Sequence, residues 1–186
     1  MNIWHIKQAV RTVRHGGIIA YPTEAVWGLG CDPWNRVAVT RLLALKNRSM
    51  DKGLILVASE LSQLGDLLID LSDSERLLIS QNQPQPTTWL IPDTRNYIPR
   101  WIKGLHSEIA VRVSTHSSVR ELCNYQGGML VSTSANVSNQ QPARSLREVR
   151  ASFGRGVDYL LPGRLGSYQR PSEIRRLKTG VVTRTA

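Results

Sequence analysis

The chain has 186 residues, enough for one domain with a sizeable core and short for two. Hydrophobic residues at 41% and charged residues at 20% exclude a disordered chain, and 14 glycines and 9 prolines without a fixed period exclude collagen-like and solenoid architectures. The net charge of +10 comes from 19 Arg and 5 Lys against 14 acidic residues, and an Arg-heavy excess favours phosphate or carboxylate partners because the guanidinium is a planar fork of donors.

In chain order, Ile3, Ile6, Val10 and Val13 recur at helical spacing over residues 3–15, and His15-Gly16-Gly17 ends that helix. Residues 17–21 read as a short buried strand stopped by Pro22. A second helix spans 34–46, with Val37, Leu42 and Leu45 on one side. Residues 54–58 are a continuous apolar run, the pattern of a strand covered on both faces. Two helical patterns follow at 62–69 and 72–82, the latter opened by a Ser72/Glu75 capping box. Strands are expected at 87–91, 109–113 and 129–133, and helices at 117–125 and 145–153. Short strands follow at 158–161, 174–177 and 181–184. The expectation is an α/β (α+β) fold, a single domain over 1–186 built on one twisted mixed sheet.

Charge is unevenly placed. From Arg144 onward ten basic residues face only Glu148, Asp158 and Glu173, so this stretch carries +7 of the +10. It reads either as a solvated basic face or as a surface for a polyanion such as RNA. No apolar run approaches ~18 residues, so no membrane helix is expected. The amino end shows no basic-then-apolar leader. Cys31 and Cys123 are expected as free thiols in a reducing cytoplasm.

Several chemistries lack their motifs. There is no Walker-type phosphate loop, and Gly28-Leu29-Gly30 lacks the third glycine of a dinucleotide fingerprint. Metal-ligand spacing and a nucleophile elbow are absent as well. Four constellations remain. Tyr21–Asp32 runs from a strand into Pro22, a Thr23-Glu24 pair and two glycines, either a strand-end loop at which backbone approaches a ligand or an ordinary strand turn with a buried Trp27. Lys46, Arg48 and Lys52 crowd one segment before a buried strand, either as a helix C-terminus or as an anion site. Ser132-Thr133-Ser134-Ala135-Asn136 emerges from an apolar strand, as a polar turn or as phosphate ligands. Arg112 lies inside the strand Ala110–Val113 and needs a buried anion, from a structural salt bridge or from a ligand in a cavity. Together Arg48, Lys52 and Arg112 with the hydroxyls of Thr23, Ser132 and Ser134 describe an enclosed cationic pocket for a polyanion with a small acid.

At these residues the sequence resembles the YrdC/TsaC family of threonylcarbamoyl-AMP synthases. The stretch YPTEAVWGLGCDP (21–33), Lys46-Asn47-Arg48 with Lys52-Gly53-Leu54, the AVRV strand, STSAN (132–136), Pro171–Arg175 and Arg184 come in the family's order. The resemblance implies a twisted open sheet with a deep basic cavity. It implies a reaction joining L-threonine, bicarbonate or CO2, and ATP into threonylcarbamoyl-adenylate, with diphosphate released and Mg2+ accompanying the ATP. The product would serve modification of the adenosine beside the anticodon in tRNAs reading codons that begin with A, through a separate transfer complex. By the same resemblance Lys46, Arg48 and Lys52 would meet the triphosphate, Lys46 and Arg48 as the catalytic pair. Ser132, Ser134 and Asn136 would hold the nucleotide or the acyl phosphate, and Arg184 would close the ATP site. Thr23, Ala25, Arg112 and Ser172 would form the threonine pocket, with Arg112 on its carboxylate.

The chain departs from the family pattern at Ala25, where many relatives carry Thr, and at Ser49, Gln85 and Asn139. With no general-base dyad and no covalent nucleophile in the motifs, catalysis would rest on positioning and charge stabilisation. Two rival classes are a double-stranded-RNA-binding ribosome-maturation factor and a carbamoyl-transfer domain of hydrogenase maturation. The first lacks a recognised RNA motif and the second lacks its cysteines.

Overall fold

The computed structural model, which describes residues 2–185, opens with helix α1 (Ile3–Arg14). Asn2 caps it by accepting the Trp4 N–H. Ile6, Val10 and Val13 are buried as their spacing requires, whereas Ile3, in the first turn, is exposed. The strands are β1 (Ile19–Pro22), β2 (Trp27–Gly30), β3 (Ile55–Ala58), β4 (Thr87–Pro92), β5 (Glu108–Val113), β6 (Leu130–Ser134), β7 (Tyr159–Leu160), β8 (Glu173–Arg176) and β9 (Val182–Arg184). Between them lie α2 (Arg36–Leu45), α3 (Asp73–Ser80), α4 (Arg100–Lys103), α5 (Ser117–Gln126) and α6 (Leu146–Phe153).

The strands form one mixed sheet in the order β7-β1-β2-β6-β3-β5-β4-β8-β9. β1–β7, β3–β5 and β4–β8 run parallel, and the remaining neighbours run antiparallel. Both faces of its middle are covered. Ile19, Tyr21, Val57 and Leu130 point to the side where α1 and α5 pack. Ile18, Ala20, Leu56, Ala58 and Val131 point to the other side, onto a core shared with α2, α4 and α6. Side chains alternate along a strand, so burial on both faces demands the unbroken apolar runs of the sequence.

One open reading is decided and two expectations change. Residues 27–30 are a paired strand after a strand turn, with Trp27 buried, and the glycines serve packing: a Cβ on Gly30 would fall 2.4 Å from the Val131 carbonyl oxygen and 2.9 Å from the Tyr21 ring. The helix expected at 62–69 is a 3-10 stretch, Leu61–Leu68, broken at Gly65, where φ is 55°. The second helix starts at Arg36 behind the Asn35 cap, which turns Val37 to solvent, buries Leu42 as its spacing requires and adds Ala38, Val39 and Leu43 to the buried side. The one-turn helix α4 has too few residues to show a period in the sequence.

Candidate functional site

A cavity of about 140 Å³ lies where the β1–β2 turn meets the end of β6 and the segment entering β8. Its wall includes Thr23, Ala25, Arg48, Arg112, Ser132, Ser134, Ser172 and Arg184, so eight of the expected site residues, from far-apart parts of the chain, share one chamber. Register explains the meeting. Gly28 pairs with Ser134 and Ile55 with Ser132, which brings the hydroxyl strand beside the glycine strand. Arg112 pairs with Val57 one strand further along.

Each side chain is anchored. The Thr23 hydroxyl donates to the Val26 carbonyl at 2.7 Å and closes the β1–β2 turn, leaving its lone pairs for the cavity. Ala25 is buried and keeps that wall small. Helix α2 ends at Lys46, and the positive φ of Asn47 (49°) redirects the chain so that Arg48 reaches the cavity. The Arg48 guanidinium donates to the Gly53 carbonyl at 2.8 Å, and its Nε is buried without a partner. Arg184 donates to the Ser172 carbonyl at 2.7 Å, while the Ser172 hydroxyl shares a hydrogen bond of 2.8 Å with that of Thr88. β9, which carries Arg184, is thereby tied to the segment entering β8.

Two expected residues stand behind the wall. Lys46 is buried, and its ammonium donates to the carbonyls of Ser134 and of Asn136, the latter at 2.7 Å. Burial first, and Arg48 second, push its pKa down to about 8. The Asn136 side-chain amide donates to the Val137 and Gln140 carbonyls at 2.9 Å, and its oxygen accepts from the Ser134 hydroxyl at 2.5 Å. Both residues therefore shape the 134–140 loop. Lys52 lines an adjoining cavity of about 350 Å³ that shares Arg48 and Arg184 with the first.

The electrostatics are lopsided. Three guanidinium groups face the first cavity, and among its described lining residues Glu24 is the sole carboxylate. Burial, and then Arg112 and Arg48, lower the pKa of Arg184; burial lowers that of Arg48. Crowded cations in a low-dielectric wall repel one another, and an entering polyanion relieves that repulsion. Glu24 was not singled out as a site residue: in the sequence it is one acid in a turn, and nothing local says that it faces Arg112. Among the described residues no cluster of three or more His, Cys, Asp or Glu could hold a metal ion. Cys31 and Cys123 are free and buried, and neither lines the cavity.

A family model spanning Sua5, YciO and YrdC, described as "Telomere recombination", matches residues 11–186. A threonylcarbamoyl-AMP synthase of Pseudomonas fluorescens (strain Pf0-1) is 49% identical over 186 residues, all of both chains. The crystal structure of P. abyssi Sua5 complexed with L-threonine superposes with a TM-score of 0.87 at 27% identity, covering 96% of this chain; the chain spans about half, 52%, of that longer protein. E. coli YciO superposes with a TM-score of 0.83 at 26% identity, covering 98% of this chain and 89% of YciO.

Proposed function

This chain belongs to the Sua5/YciO/YrdC family, and on that footing we propose how its cavity works. Its activity is synthesis of threonylcarbamoyl-AMP, with L-threonine and ATP as substrates. The observation that carries the detailed reading is the trio Arg48, Arg112 and Arg184 around one chamber with a single carboxylate. Arg48 and Arg184, on the wall common to the two cavities, take the triphosphate, with Lys52 at the outer lip. Ser132 and Ser134 offer hydroxyls to the nucleotide or the acyl phosphate. Arg112 takes the threonine carboxylate, and Thr23, Ala25 and Ser172 line the rest of that pocket.

Lys46 and Asn136 act on the nucleotide through the loop they hold. Lys46 keeps the Ser134 and Asn136 carbonyls turned inward onto its ammonium, and so away from an incoming phosphate. Magnesium would enter on the ATP phosphates and supply charge neutralisation there, since among the described residues the cavity wall offers one carboxylate, Glu24, and no set of protein ligands for a cation.

The chemistry needs no covalent intermediate on the protein. The ammonium of threonine loses a proton to solvent, and the neutral amine captures CO2, supplied as such or from bicarbonate, to form a carbamate with release of a second proton to solvent. A carbamate oxygen attacks the α-phosphorus, and diphosphate leaves onto the guanidinium groups, which stabilise the charge that develops. The adenylate then passes to a tRNA-modifying transfer complex in the cytoplasm. Arg147 and Arg150, exposed on α6, and Arg155 beyond it offer a basic surface for tRNA or double-stranded RNA. No described helix is long and apolar enough to cross a membrane.

The test is diphosphate release from ATP and Mg2+ with and without L-threonine and bicarbonate. Release that requires both supports the reading. Release that ignores bicarbonate points to simple adenylation of threonine, and no release at all, with RNA bound, returns the chain to the RNA-binding alternative.

A further inference from the structure

We infer that Glu24 is a substrate-binding residue, whose free carboxylate oxygen receives the α-ammonium of the amino acid while Arg112 receives its carboxylate. The inference rests on the threonine reading above and adds to it the residue that recognises the amine.

Glu24 is 5% exposed and faces the cavity. One oxygen, Oε1, accepts from the Ser114 hydroxyl at 2.6 Å. The other, Oε2, is buried with no hydrogen-bond donor and lies 3.5 Å from Arg112 Nη2, long for a charge-assisted bond. Arg112 Nε is likewise buried without a partner. A buried carboxylate oxygen without a donor is costly to keep, so one on a residue that lines a cavity marks a place for an incoming donor. The pair is neutral overall, with its negative and positive ends side by side. A free α-amino acid is neutral too, with an ammonium and a carboxylate on one carbon. Binding it adds no net charge to the buried site and satisfies an acceptor at one end and a donor at the other.

The carboxylate is also held in place. The Glu24 carbonyl accepts from the Tyr168 N–H at 3.2 Å, and the Thr23 carbonyl from the Gly166 N–H at 3.0 Å. A Cβ on Gly166 would fall 2.6 Å from the Glu24 carbonyl oxygen, so this segment lies directly on the turn. Burial works to raise the Glu24 pKa, but Arg112 and then the Ser114 hydrogen bond outweigh it and hold the group below the usual carboxylate range. At neutral pH the residue is an anion, suited to hold an ammonium and poorly suited to remove its proton.

The experiment compares two ligands by calorimetry: L-threonine and 2,3-dihydroxybutanoate, which keeps the carboxylate and the β-hydroxyl but carries a hydroxyl in place of the ammonium. The wild-type protein is expected to prefer threonine by about ten- to a hundredfold, the range of one charge-assisted hydrogen bond. Glu24→Gln, which keeps an oxygen for Ser114, is expected to erase that preference by weakening threonine alone. If Glu24 merely props Arg112, both ligands weaken equally and the assignment falls. Should the Gln variant not fold, Glu24→Asp keeps the charge but withdraws it by one methylene, and an undiminished preference then overturns the inference. A wild-type protein that binds threonine and the hydroxy acid equally overturns Glu24 alone; one that binds neither overturns the threonine reading as well.

Discussion

The ion pairs Lys103–Asp93 and Arg112–Glu24 are buried alike, with side-chain exposures of 10% and 1% in the first and 10% and 7% in the second. They differ in what surrounds them. Lys103 donates to Asp93 and to the Asn96 side chain, both at 2.8 Å, and Asp93 also accepts the Tyr97 and Ile98 N–H groups at 2.8 and 3.1 Å. That network is closed and locks the segment between β4 and α4. In the second pair the charges stand 3.5 Å apart, and one oxygen and one nitrogen have no partner. A fully satisfied buried network specifies structure, whereas unpartnered charged groups on residues that line a cavity are open to a ligand. The comparison separates scaffold from site without reference to any relative.

The sharpest way to break it is Arg48→Ala. Removing one preorganised donor at a transition state costs on the order of 10²–10³ in rate. Diphosphate release should fall by that factor. The melting temperature should move little, because the lost hydrogen bond to Gly53 is offset by relief of the repulsion among Arg48, Arg112 and Arg184. Full activity, or an unfolded variant, would move Arg48 from the site to the scaffold.

Lys103→Met should do the opposite. It leaves Asp93 buried without its cation, a loss of about 3–5 kcal/mol. At roughly 2–4 °C per kcal/mol for a chain of this size, the melting temperature should drop by about 6–20 °C. Lys103 also borders the outer cavity, so in molecules that remain folded diphosphate release should fall far less than in Arg48→Ala. An unchanged melting curve would show that a closed network is no mark of scaffold.

Lys46 tests a third case, a buried cation held by carbonyls with no carboxylate. Its pKa in the folded protein is about 8 against an ordinary 10.5. Between those values the unfolded chain binds the proton that the folded one has released, so stability from this group rises with pH; below pH 8 the cost of the buried charge is present in full. Against Lys46→Met, the wild type should therefore gain in melting temperature from pH 8 to 10.5. A flat difference would mean that the ammonium is no more costly to bury than in water.

Most of the fold was legible because its signals are local. The period of α1, the Ser72–Glu75 capping box and the apolar runs of β3 and β6 each depend on residues within one or two turns of one another. β2 was hidden because its glycines mimic a ligand loop, and only the Tyr21 ring and the Val131 carbonyl show why nothing larger fits there. Of the site, Arg48, Arg112, Ser132 and Ser134 were legible as cations and hydroxyls out of place in apolar surroundings. The separate tasks of Lys46 and Asn136 were not, because a side chain's partner is set by where a distant loop folds back.

By itself the sequence determined the α/β order of elements, the excess of arginine and the ordered motifs that carry the family resemblance, because all of these are properties of neighbouring residues. Only the tertiary structure decided that Glu24 faces Arg112, that Lys46 turns inward to carbonyls, and that Arg184 returns beside Arg48. Turns, a helix end and the sheet edge set those meetings, and they join residues far apart in the chain whose attraction or repulsion no local pattern records.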